Sequence, residues 1–208
     1  MRNISKLLSI SFILCISYFN LAAGTDTSFS VTTDENNYLV VNVNTALQED
    51  IEVTIKDSYG AEIYSETIDA NKIRNRKYDI NDIKDGIYTL LLELDNEIKV
   101  QKIKKVNQNI EIFSEDRFKV FKPTIQENNG VVSVTMLQFH GDFEIKIYDQ
   151  DGKIIFKEEH DARGSFKSRY NLTTLPGGNY NFIIDVEQED FDGSFNKNIP
   201  VTTGIASL

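Results

Sequence analysis

Cysteine is all but missing from this chain: the one residue, Cys15, cannot form an internal disulfide. Tryptophan is absent, and histidine occurs only as His140 and His160. Two histidines cannot build a histidine-rich metal site. Basic charge is also scarce, with 22 Lys plus Arg against 32 Asp plus Glu and no basic block. A chain of formal charge −10 lacks the cations that neutralise phosphates, which argues against nucleic-acid binding. Long apolar runs are missing too. The longest, Leu7 to Phe19, falls short of the roughly 20 residues that a membrane-spanning helix requires. What remains is 40% apolar residues, enough for a core, in a length of 208 that admits one domain or two small ones.

The amino terminus has the order of an export signal. Arg2 and Lys6 precede the apolar run, Asn20 interrupts it, and Ala22, Ala23 and Gly24 offer small residues to a peptidase. Residues 1–23 are therefore expected to be a signal peptide. Cys15 follows Leu14 inside the apolar run, which is not the setting of a lipid-modified cysteine. Cleavage near Ala23 would remove Arg2, Lys6 and Cys15, taking the charge from −10 to about −12. The exported protein would fold without disulfides, so its stability would rest on buried area.

The strongest signal is an internal repeat. Shifting the chain by 92 residues aligns Phe29–Leu94 with Phe121–Val186 without a gap, at 18 identities in 66 positions. Ile51 to Ala70 lies over Phe143 to Ala162, and Tyr78 to Leu94 over Tyr170 to Val186. Two copies are too few for a solenoid, so tandem domains are expected: 27–106, a linker at 107–117 in which Ile110 and Ile112 could add a short strand, and 118–208.

Each copy alternates with period two. Leu39, Val41 and Val43 interleave with Val40, Asn42 and Asn44, and Ile51, Val53 and Ile55 with Glu52, Thr54 and Lys56. Phe143, Ile145 and Ile147 repeat the pattern. These strands run into DSYG (57–60) and DQDG (149–152), turns in which the glycine supplies a positive φ. Later, Ile80-x-x-Ile83-x-x-Gly86-x-Tyr88 recurs as Leu172-x-x-Leu175-x-x-Gly178-x-Tyr180, each before an apolar strand. A tyrosine in that place fits the corner of an immunoglobulin-like sandwich, where its hydroxyl bonds to nearby backbone. The expected fold is all-β: two tandem antiparallel immunoglobulin-like β-sandwiches.

The succession of alternating strand, D-x-x-G, second strand and L-x-x-L-x-x-G-x-Y resembles the carboxy-terminal sorting domains of the type IX secretion system. It also resembles related small secreted sandwich proteins of Bacteroidetes. The resemblance covers Ile51–Leu94 and Phe143–Val186 and implies an exported sandwich. The chain departs from it by ending in TTGIASL, without a basic terminal residue, and by carrying the pattern twice with no separate cargo domain upstream.

Motifs for bond chemistry are scarce. No G-x-S-x-G, H-E-x-x-H or phosphate-binding loop occurs. His140 and His160 correspond to Gln48 and Ile68 in the first copy, so both are read as solvated loop or edge residues. The densest carboxylates are Glu158, Glu159 and Asp161, and then Glu187, Glu189, Asp190 and Asp192 before Gly193. The second group lacks the full spaced calcium-loop motif and reads as a hairpin that lengthens the last strand pair of the second copy. Asp149 and Asp151 take the turn role that Asp57 has in the first copy. Tyr38, Tyr59, Tyr148 and Phe191 are candidates for an exposed sugar-binding platform, with cross-strand packing as the plainer role. Asn171-Leu172-Thr173 matches a glycosylation sequon but sits inside the repeated corner.

Catalytic, cofactor and metal residues are thus expected to be none, and the partner a protein or cell surface. The reading is an exported, non-catalytic interaction module. A divergent secretion signal in the second copy is the alternative, and a carboxylate hydrolase a distant third.

Overall fold

The computed structural model describes residues 29–43, 49–69, 71–72, 75–188 and 191–201. The expected signal peptide, with Cys15, lies outside the described residues, as do Glu189 and Asp190.

The period-two segments all become strands, and no helix occurs among the described residues. In the first repeat β1 (Phe29–Thr33), β2 (Leu39–Val43) and β5 (Asn75–Tyr78) form a three-stranded antiparallel sheet in the order β1-β2-β5. Facing it, β3 (Ile51–Asp57), β4 (Glu62–Ile68), β6 (Gly86–Glu93), β7 (Glu97–Val106) and β8 (Asn109–Phe121) are ordered β4-β3-β6-β7-β8. Leu39, Val41, Val53, Ile55, Leu90, Leu92 and Ile103 fill the space between the two sheets. They are the inward members of the alternation, buried because each alternate side chain shares one face of its strand.

The second repeat makes the same two layers from fewer, longer strands. They are β9 (Thr124–Asn128), β10 (Val131–Tyr148), β11 (Ile154–Asn171), β12 (Gly178–Gln188) and β13 (Phe191–Val201). The first half of β10 pairs with β9 and the end of β11, as β2 pairs with β1 and β5. Its second half pairs with β12 and the start of β11, as β3 pairs with β6 and β4. So β10 joins the counterparts of β2 and β3 in one strand, and β11 those of β4 and β5. A register shift between Met136 and Phe139, with Gln138 at φ 49°, turns β10 from one layer to the other.

That shift corrects the gap-free alignment. Tyr78 and Tyr170 face Leu39 and Val132 respectively, so the second strands correspond at an offset of 93, not 92. From Ile51 onward, 92 holds: Val53 opposite Leu92 matches Ile145 opposite Ile184. After the longer last hairpin it becomes 96, since Leu90 faces Gln101 while Phe182 faces Lys197.

The segment 107–117, expected as a linker in which Ile110 and Ile112 could add a short strand, carries a longer one. Most of it is the start of β8, paired along β7. Its run of polar residues reflects an edge strand with one wet face. Ile110 and Ile112 pack on the first core. Past a bulge beside Gln101, Phe118 and Val120 face the other way and join the second core. Gln101 is only 1% exposed and donates to the carbonyls of Lys102 and Phe113 beside the bulge. The outward face of β6-β7-β8, with Leu91, Ile98, Val100 and Val120, belongs to the same apolar cluster as Phe139, Phe143 and Phe191 of the second repeat.

Candidate functional site

The repeated polar motifs belong to the scaffold, not to a site. Asp57 Oδ1 accepts from the backbone N–H groups of Tyr59 and Ala61, both at 2.9 Å. Asp149 Oδ1 does the same for Asp151 and Lys153 at 3.0 and 2.9 Å. Gly60 and Gly152 close these turns at φ 80° and 77°. Tyr88 donates to the Lys84 carbonyl at 2.7 Å and Tyr180 to the Pro176 carbonyl at 2.8 Å, the corner that the sequence implies. Asn171 Oδ1 accepts from both the backbone N–H and the hydroxyl of Thr173, so the sequon is part of its corner.

A further repeated device escaped the sequence reading. Tyr78 donates to Glu66 at 2.7 Å, and Tyr170 donates to Glu158. Edge-on aromatic contacts with Tyr64 and Phe156 complete the two arrangements. The signal was available, since both the glutamate and the tyrosine are identical between copies at a spacing of 12. Arg76 lies 3.5 Å from Glu66, whereas His160 lies 3.2 Å from Glu158. His160 also stacks on Phe143 with centroids 4.9 Å apart. His160 is thus a half-buried edge residue, while His140 is exposed and contacts the Gln138 carbonyl.

Burial, and then the hydrogen bond to glutamate, pushes the ionisation of Tyr78 and of Tyr170 far above the usual tyrosine range. In the unfolded chain these hydroxyls ionise near pH ~10. Their stabilising contribution is therefore complete below that pH and is lost as pH rises through it toward the folded values. Urea midpoints should begin to fall near pH ~10 and keep falling as the pH is raised further. Tyr170→Phe should flatten that decline, and an unchanged alkaline slope in the variant would refute the assignment.

The outward face of β11-β10-β12-β13 is where carboxylates collect. Phe143, Ile145 and Ile147 point inward, so Asp142, Glu144 and Lys146 point out. Strand register then places Asp161, Asp142, Glu187 and Asp192 directly opposite one another across four strands. The next row is Glu159, Glu144, Asp185 and Ser194, and the third begins with Lys157 and Lys146. Lys146 and Lys157 both pair with Glu144, Lys146 also reaches Asp185 at 3.1 Å, and Lys157 reaches Glu159 at 2.8 Å. Hydrogen bonds from these two lysines hold the Glu144 carboxyl below the usual range. The first row has no cation within ion-pair distance among the described residues. Directly opposed like charges oppose strand pairing, so the fold tolerates this row rather than gaining from it. The face is an open groove of about 1000 Å³.

The other sequence candidates scatter. Tyr59 is 94% exposed at the tip of its turn, while Tyr38 and Tyr148 are half-buried. Phe191 takes the plainer packing role: at 7% exposure it belongs to the second core, held against Gly193, and cannot form a sugar platform. A smaller cavity of about 410 Å³ lies between the repeats, lined by Lys56, Ile87, Leu91, Phe191 and Asp192 among others. Among the described residues no three His, Cys, Asp or Glu side chains form a group that could hold a metal ion. No helix among the described residues is long and apolar enough to cross a membrane.

Paired antiparallel sheets, Greek-key-like crossing between layers and a tyrosine corner in each copy define immunoglobulin-like sandwiches in tandem. The chain belongs to the secretion system C-terminal sorting domain family, whose pattern matches residues 35–107 and again 128–195. Among curated proteins none matches it. Solved structures similar to it include the BSP domain of a biofilm-associated protein, at 14% identity and a TM-score of 0.27, covering 86% of this chain and 30% of that one. Another is the FN1–FN3 segment of chicken CNTN1, at 10% identity and a TM-score of 0.28, covering 84% of this chain and 66% of that one. The Bacillus anthracis TIE protein matches at 12% identity and a TM-score of 0.21, covering 88% and 57%. The chain spans less than two thirds of each of these structures.

Proposed function

We propose that this chain is an exported, non-catalytic interaction module of two domains, bounded near 27–106 and 118–208, that presents one sheet face and its strand edges to a protein or cell-surface partner. The observation that carries the reading is the carboxylate row Asp161, Asp142, Glu187 and Asp192, which lies outside every repeated structural device. Several other acids have a role in holding the sandwich: Asp57 and Asp149 in turns, Glu66 and Glu158 on tyrosines, Glu144 between two lysines. Membership of a sorting-domain family supports export, to the cell surface or beyond it.

The second reading is that the carboxy-terminal repeat is itself a divergent secretion signal, favoured by the family match at 128–195. One experiment addresses both. The full chain is expressed in a bacterium with a working type IX system and in a mutant lacking it, and the cells are fractionated. Export in the first host is expected, on the surface or in the medium. Retention inside the first host overturns the module reading. Equal export from both hosts overturns the sorting reading alone.

A further inference from the structure

We propose that the free edge of β13, over residues 192–198, accepts an extended, Lys- or Arg-bearing strand of a partner polypeptide. This rests on the interaction reading above and names the surface and the chemistry of the partner.

The two repeats differ at this edge. In the first, β7 is flanked by β6 and β8, so its ladder is complete on both sides. In the second, β13 pairs with β12 alone among the described residues. The consequence appears in burial. Lys99 and Gln101 face Leu92 and Leu90, run beside Lys119 and Arg117 of β8, and are 5% and 1% exposed. Their counterparts opposite Ile184 and Phe182 are Phe195, which is only partly buried, and Lys197, which is exposed. The inward positions are the same, and the covering strand is missing.

Pro200 limits how much of the edge is usable. A proline within a sheet sits on an edge strand with its nitrogen turned away from the ladder. Residues in phase with it, Ser194, Asn196 and Asn198, therefore turn their N–H and C=O groups to the open side, and Pro200 offers no donor there. All three are exposed. Pro200 occupies the level of Lys104, where the first half of β8 pairs in the first repeat. What stays open corresponds to the second half of β8, the stretch RFKVFK at 117–122.

That internal precedent and the charge of the edge agree on the occupant. Lys119 and Lys122 lie 3.8 and 2.7 Å from Glu97 and Glu93, so the strand on β7 meets carboxylates with lysines. At the β13 edge Asp192 ends the row through Glu187, Asp142 and Asp161, which no cation neutralises among the described residues. Main-chain bonds to 194–198 would supply affinity, and this row the preference for Lys and Arg.

The probe is a fluorescent RFKVFK peptide, titrated against the full chain, with EFEVFE as the charge-reversed control. Saturable binding of RFKVFK is expected, at least ~10-fold tighter than EFEVFE and weakened at high salt. On binding, the amides of Ser194, Asn196 and Asn198 should gain protection from hydrogen exchange. Asn196→Pro repeats the device of Pro200 on the open side; it should keep the native circular dichroism and melting point and lose ~10-fold or more in affinity. Equal binding of the two peptides, full binding to a folded Asn196→Pro variant, or protection elsewhere than 194–198 would overturn the proposal. So would binding that improves ~10-fold when residues 202–208 are deleted, because the chain itself would then own the edge. Any of these leaves the export result untouched, which keeps failure here separate from failure of the broader reading.

Discussion

Gly141→Ala should destabilise the protein on the order of 3 kcal/mol, among the largest effects of any single methyl group added to the chain. Gly141 stands mid-way along β10, just where that strand leaves the small sheet to pair with β12. Its φ is 154°, and a Cβ built there would lie 2.3 Å from the Glu187 carbonyl oxygen. Both partners are backbone of paired strands, so neither can swing aside as a side chain would. The first repeat escapes the problem by ending β2 at Val43 and beginning β3 at Ile51, with Glu49 at the position aligned with Gly141. Gly164→Ala is the control. It is likewise at positive φ, 120°, but no atom lies within 4 Å of an added Cβ, so only the conformational cost of about 1 kcal/mol is expected. Urea denaturation of the two variants measures the difference, and equal losses would show that the Glu187 contact is not what excludes a side chain.

The same region shows what a one-dimensional reading can and cannot reach. The two copies, the Asp turns at 57 and 149 and the corner tyrosines were legible because each is local: the spacing itself is the structure. The fusion of strands in β10 and β11 was not. A strand that turns at a bulge keeps its period on either side, and the single-residue change of phase at Gln138 hides within an alignment that still matches. Only Ile110 and Ile112 hinted at a strand in the 107–117 segment, since an edge strand with one wet face has the composition of a linker. The carboxylate row was out of reach altogether. Asp142, Asp161, Glu187 and Asp192 come together only through the registers of three strand pairs, and the sequence alone suggested the grouping Glu187 to Asp192, of which Glu189 and Asp190 lie outside the described residues. Phe191 looked like part of an exposed hairpin tip because nothing local says that the first repeat stands beside it.

Val100→Asp, at the face where the first repeat meets the second, should cost about 3–5 kcal/mol and split unfolding into two transitions. Val100 points away from its own sandwich, because the residues on either side of it, Lys99 and Gln101, face Leu92 and Leu90 in the first core. It is nevertheless fully buried, paired between Leu91 and Phe118 on the face that joins the second core. A carboxylate there is dry and set among the apolar residues of that cluster, so separating the repeats is the cheapest way to hydrate it. Val100→Ala removes only apolar contact and should cost about 2 kcal/mol while leaving one transition. The corresponding face of the second repeat carries Ile183, Ser194 and Asn196 beside the carboxylate row. An apolar outer face on one copy and a polar one on the other lets the two repeats stack once without offering a further site for stacking, which is how a tandem pair stays a pair. A single transition with an unmoved midpoint in Val100→Asp would mean that the repeats are not held together by this face.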